Sequence, residues 1–86
     1  MADIREQIYE FVSILLVEQG YSETFTDDTS LVTSGMLDSF AVMRLVVFME
    51  QTFGINFADT YFDHNRFDSI SAMVKMVKDL APSNTE

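Results

Sequence analysis

Apolar residues recur in steps of three and four near the start of the chain, where Ile4, Ile8, Phe11, Val12 and Leu15 fall on one stripe. Asp3 precedes the stripe and Glu6 follows three residues on, the pairing of a capping box, and Gly20 is the natural stop. This predicts a first helix. Over residues 21–37 the pattern breaks. Ser22, Thr24, Thr26, Asp27, Asp28, Thr29, Ser30, Thr33, Ser34 and Gly35 are turn formers, and so long a stretch between helices points to a functional or a disordered loop. Phe25, Leu31, Met36 and Leu37 are scattered through it and can pin it to the helices, so an ordered loop is expected.

Asp38 or Ser39 is placed to cap a second helix that runs to about Phe53, with Gly54 as its stop. The body of that helix, Phe40 to Met49, is apolar nearly all round. Such a helix is either central to a fold or meets a partner, and in a chain of 86 residues it cannot be covered on every side. The expected partner face is Val42, Met43, Val46 and Val47, with Glu50 at its far end. Residues 59–66 suggest a short third helix with Tyr61 and Phe62 as its apolar contacts. Asp68 or Ser69 caps a last helix whose inward stripe is Ile70, Met73, Val74, Val77 and Leu80. Phe11, Leu45, Phe53 and Val74 are expected in the core. The fold class is all-α, a small four-helix bundle of three main helices and a short third one. It is expected to form a single domain over 1–86, with Pro82 and the polar tail ending the fold.

Composition narrows the function. The chain is 48% hydrophobic, with eight Phe and six Met, which excludes a disordered chain. Its net charge is −9, which excludes nucleic acid as a natural partner and makes an anionic membrane surface repulsive. Basic protein surfaces are the natural counterpart. There is no cysteine, so disulfides, thiolate catalysis and Cys-based metal sites are excluded. Asp3, Glu6 and Glu10 stand where a signal peptide needs positive charge, and the apolar run Phe40 to Met49 carries Arg44 and is too short to span a bilayer. A cytoplasmic, monomeric protein that is not inserted in a membrane is expected.

The candidate chemistry lies in Gly35-Met36-Leu37-Asp38-Ser39-Phe40, where a long polar loop ends and a serine sits at a helix start beside an aspartate. A phosphate attached there would meet free backbone N–H groups and the positive end of the helix dipole. The plainer reading of the same dipeptide is a helix cap and nothing more.

The wider context, Gly-x-x-Asp-Ser-Phe followed by an apolar helix ending Glu50-Gln-Thr-Phe53-Gly54-Ile55, with Asp28-Thr-Ser-Leu31 upstream, resembles the phosphopantetheine-binding acyl carrier proteins. The resemblance implies an acyl-carrier fold with 4'-phosphopantetheine, taken from coenzyme A by a phosphopantetheinyl transferase, on Ser39, and Asp38 as the adjoining motif acid. It implies further partners: a ligase that activates an acyl or aminoacyl group, and a downstream acyltransferase or synthase. The arm's own thiol would account for a chain that needs no cysteine.

Leu37-Asp-Ser-Phe40, Phe53-Gly-Ile-Asn-Phe57, and Tyr61-Phe-Asp63 followed by Phe67-Asp-Ser69 look most like the stand-alone D-alanyl carrier proteins. Against typical fatty-acid carriers the second helix departs: Ala41, Arg44, Gln51 and Thr52 replace family acids and only Glu50 remains. That favours a dedicated partner reading an apolar face, in which Arg44 would be a lone positive charge. Two alternatives stay open at this point: a carrier of fatty or polyketide chains, and an unmodified acidic adaptor. An enzyme is not expected. His64, the only histidine, has no spacing to Ser39 that suggests a triad, and neither Asp27 with Asp28 nor Asp59 with Asp63 makes a metal motif, so no metal is expected.

Overall fold

The Asp3 carboxylate accepts a hydrogen bond from the Glu6 N–H at 2.8 Å and starts α1, Ile4–Glu18. In the computed structural model, which describes residues 3–21, 25–57 and 64–80, this helix is followed by a long loop and by α2, Ser39–Phe53. A 3-10 turn, His64–Phe67, then leads into α3, Ile70–Leu80. The described residues contain no strand, and the class is all-α, as expected. α2 stops at Gly54, whose left-handed backbone (φ 73°) turns its N–H back onto the Glu50 carbonyl, a conformation that costs glycine little. Ser69 caps α3 by accepting from the Ala72 N–H at 3.1 Å.

α1 packs on α3 and on α2, and the 3-10 turn packs on α3. Ile8, Val12, Leu15 and Leu16 meet Ala41, Val42, Leu45 and Met49 of α2 and Ile70, Met73, Met76 and Val77 of α3 in one core, with no buried polar residue among those described. Leu16 and Met76 extend the stripes that the spacing predicts.

Leu45 is fully buried as expected, but Phe11, Phe53 and Val74 are only half-buried. The two phenylalanines belong to an aromatic row rather than to the core centre. Phe11 stacks on Phe48 with ring centroids 4.4 Å apart, and Phe48 meets Phe53 edge-on at 5.9 Å, so one side of the row stays open. Among the described residues the fully buried phenylalanine is Phe67, at the end of the 3-10 turn and tilted against Phe57 at 5.9 Å. Of the short helix predicted over 59–66, the described part, from His64, is the start of the 3-10 turn His64–Phe67; residues 58–63, with Tyr61 and Phe62, and the tail from 81 lie outside the described residues.

The long loop is ordered over its described part, from Phe25 to Asp38, because apolar anchors and polar ties hold it from both sides. Phe25, Leu31 and Leu37 enter the core. Tyr9 stacks on Phe25 at 4.4 Å and donates its hydroxyl to the Phe25 carbonyl. Arg5 lies over the Tyr9 ring and pairs with Asp27. On the other side, Ser71 donates its N–H to the Asp27 carbonyl and its hydroxyl to the Asp28 carboxylate.

Candidate attachment site

Of the two candidate caps for α2, Asp38 takes the role. Its backbone is extended, its carboxylate accepts from the Ala41 N–H at 2.9 Å, and its carbonyl accepts from the Val42 N–H at 3.0 Å. Ser39 is therefore the first helical residue and is exposed. Its hydroxyl makes no hydrogen bond to any described residue. Every other described serine does. Ser13 donates to the Tyr9 carbonyl, Ser34 to the Ser30 carbonyl, Ser30 to Asp68 and Ser71 to Asp28, while Ser69 accepts from Ala72. The N–H groups of Ser39 and Phe40 stand in the first turn of α2, where no earlier helical carbonyl can take them. An acceptor bonded to the Ser39 oxygen would find those donors and the positive end of the helix dipole, so the residues present fit a phosphate ester at this oxygen.

The loop that precedes α2 is bound by Asp68, which capping logic alone places equally well at the start of α3. Ser69 does that work, and Asp68 faces the loop instead. Its carboxylate accepts from the N–H groups of Val32 and Thr33, both at 2.8 Å, and from the hydroxyls of Ser30 and Thr33. Burial alone would raise its pKa, but these four donors together outweigh burial and hold the carboxyl below its ordinary value. The Asp68 carbonyl also accepts from the Leu31 N–H at 2.6 Å. Sequence reasoning missed this use, since its partners lie more than thirty positions away.

The predicted partner face divides. Met43 and Val47 are exposed, at 60% and 46%, and Phe40, which the prediction left out, is the most open of all at 70%. These three sit at i, i+3 and i+7 and form one stripe leading away from Ser39. Val42 is corrected: it is 3% exposed and packs inward beside Leu45, so it offers a partner no surface. Val46 is half-buried against the core. Glu50 is half-buried too, with its carboxylate 3.4 Å from the Phe57 N–H that donates to it. Arg44 is not a lone charge, because it pairs with Glu18 across the α1–α2 seam. Beside the stripe, Phe11, Met43, Arg44, Val47, Phe48 and Gln51 line an open, mainly apolar groove of ≈ 370 Å³. Ile14 and Val17 of α1 are also exposed.

Among the described residues no group of His, Asp and Glu is arranged to hold a metal ion, and no helix is long and apolar enough to cross a membrane. Asp27 is engaged by Arg5 and Asp28 by Ser71. Asp59 and Asp63 lie outside the described residues.

No curated protein matches this chain. The family model described as the phosphopantetheine attachment site matches residues 18–77, from the end of α1 through α2 and most of α3. With more than half of its length matched, the chain belongs to the family of carrier proteins that bear a covalently attached 4'-phosphopantetheine arm.

Proposed function

We propose that Ser39 is the residue that holds the arm, and that the chain receives an acyl or aminoacyl group from an activating ligase and delivers it to an acceptor enzyme. The observation that carries this reading is the division of labour at the start of α2: Asp38 caps the helix, while the Ser39 hydroxyl is exposed and, unlike every other described serine, is engaged by nothing described. When bound, the arm supplies a terminal thiol on which the cargo rides as a thioester. The chain's own residues present the arm and are recognised, and the protein itself catalyses no step. Tethering keeps the cargo at high effective concentration near its next enzyme.

The test is incubation with coenzyme A and a broad-specificity phosphopantetheinyl transferase, followed by intact-mass measurement and fragmentation. One arm is expected, on the peptide that contains Ser39. No mass increase with several such transferases would leave the unmodified adaptor as the better account.

An aminoacyl cargo of the D-alanyl type is the favoured subclass, and a monomer acting in the cytoplasm the favoured setting. Support comes from Leu37-Asp-Ser-Phe40 and from the exposed apolar stripe Phe40, Met43 and Val47, where an acidic docking helix would otherwise be required. A ligase docking on that stripe gains apolar burial. A charge placed there forfeits most of a valine's contribution, about 1.5 kcal/mol or more, which is at least about tenfold in affinity. Val47→Asp is therefore expected to lower kcat/KM for cognate loading by about tenfold or more. Glu50→Gln should change it by less than about twofold, since Glu50 is half-buried and turned toward its own chain, and a glutamine oxygen can accept the same bond from the Phe57 N–H. Loading kinetics with the two variants decide the matter, and the reverse ranking would mean that docking is electrostatic.

A further inference from the structure

We propose that Asp68 is a positioning residue for Ser39: from the foot of α3 it clamps the loop that delivers Ser39 to the transferase and to later partners. The proposal rests on the reading of Ser39 as the attachment residue.

The clamp is a continuous set of hydrogen bonds. The Asp68 carboxylate takes the Val32 and Thr33 N–H groups at 2.8 Å and the Ser30 hydroxyl at 3.0 Å, and its carbonyl takes the Leu31 N–H at 2.6 Å. Four consecutive residues, 30–33, three through their backbone N–H groups and Ser30 through its hydroxyl, are thereby folded around one acidic residue of a distant element. The loop then closes on itself. Leu37 donates its N–H to the Leu31 carbonyl at 2.8 Å, and Ser34 donates its hydroxyl to the Ser30 carbonyl at 2.6 Å. Gly35 makes the reversal with φ 88°, in the left-handed region. Leu37 is buried and stands directly before Asp38, the cap of α2. Asp68 thus fixes Leu31, Leu31 fixes Leu37, and Leu37 leads into Asp38 and Ser39.

A carboxylate suits the task because all four side-chain contacts are donors. An ionised acid accepts at both oxygens, and bonds to it are stronger than bonds to a neutral acceptor. An asparagine of the same shape would present an amide NH2 to donors on one side, so part of the clamp would fail while the side chain still filled its space. The loop would then spend part of its time away from the arrangement that presents Ser39. A partner that binds only the presenting arrangement sees its apparent affinity fall by the fraction of molecules so arranged, while turnover of the bound complex is unchanged.

The experiment compares the wild-type chain with Asp68→Asn, and with the milder Ser30→Ala, which removes one donor to Asp68. Each is assayed for arm transfer from coenzyme A at a temperature where circular dichroism shows it fully helical, and amide hydrogen exchange is followed residue by residue. For Asp68→Asn the KM for the carrier should rise by about three- to tenfold with kcat nearly unchanged. Exchange should quicken at Val32, Thr33 and Leu37 but not in the middle of α1 or α3, and Ser30→Ala should shift both readouts the same way by less. A KM equal to wild type in a folded variant would overturn the proposal, as would protection lost evenly across all three helices, which is the mark of a purely structural residue. If Asp68→Asn does not fold, Ser30→Ala decides on the same readouts. A wild-type chain that takes no arm would sink the Ser39 reading itself, and this proposal with it, a result distinct from a variant-specific rise in KM.

Discussion

Ser39→Ala is expected to abolish attachment of the arm completely, with no loss of fold. On the proposed reading, attachment would break the pyrophosphate bond of coenzyme A, release its nucleotide half, and join the remaining phosphate to the Ser39 Oγ, whose proton would leave to solvent. Alanine offers no oxygen for the new bond. No neighbouring hydroxyl is a ready substitute, since Ser30, Thr33 and Ser34 are all engaged within the loop. Stability should barely change, because Ser39 is exposed and the capping bond belongs to Asp38. Ser13→Ala is the control: its hydroxyl bonds the Tyr9 carbonyl within α1, and its loss should leave loading intact. Intact-mass spectra of the three proteins after equal incubation, with melting curves alongside, make the measurement. An arm on Ser39→Ala would place the attachment elsewhere.

Phe67→Ala is expected to cost about 3–5 kcal/mol, the range for deleting a fully buried aromatic ring from a core that cannot collapse around the gap. Domains as a class are stable by only about 5–15 kcal/mol, and one this small buries a thin core, so the variant should be close to unfolding at room temperature. Where it still folds, Tm should fall by at least about 12 °C, at roughly 4 °C or more per kcal/mol for a chain of this size. Phe67 is fully buried, ends the 3-10 turn one residue before the Asp68 clamp, and belongs to the same core cluster as Leu31, Leu37 and Ile70. Its loss would loosen both α3 and the clamp. Phe53→Ala should cost only about 1–2 kcal/mol, because Phe53 is half-buried and gives up partial burial and one edge-on ring contact with Phe48. Denaturant melts of the two variants give the comparison. A larger loss for Phe53→Ala would mean that the aromatic row, not the 3-10 turn, anchors the bundle.

The contrast between those two residues shows where sequence reasoning reaches its limit. Phe53 lies at the end of a long apolar helix and Phe67 in a short polar stretch, so local pattern ranks Phe53 as core. Burial reverses the ranking. From Phe40 to Met49 α2 is apolar nearly all round, so its sequence holds little sign of which side faces inward, and the positions of α1, α3 and the loop select Ala41, Val42, Leu45 and Met49. The same selection takes Val42 out of the expected partner face and leaves Phe40, Met43 and Val47 open to solvent.

What the sequence determined by itself is what depends on neighbours within a turn or two: three helices, the starts at Asp3 and at Asp38 or Ser39, the stop at Gly54, the apolar stripes of α1 and α3, and the Asp-Ser pair at a helix start. Helix periodicity and capping act over three or four residues, so they are legible in the order of residues alone. Only the tertiary structure decided that Asp38 caps while Ser39 stands unengaged, that Asp68 turns from its own helix to grip residues 30–33, that Arg44 answers Glu18, and that Phe67 fills the core. Each of these depends on groups distant along the chain, or on a choice between adjacent residues able to do the same local job. Packing makes that choice by bringing together donors and acceptors that have no fixed spacing in the sequence.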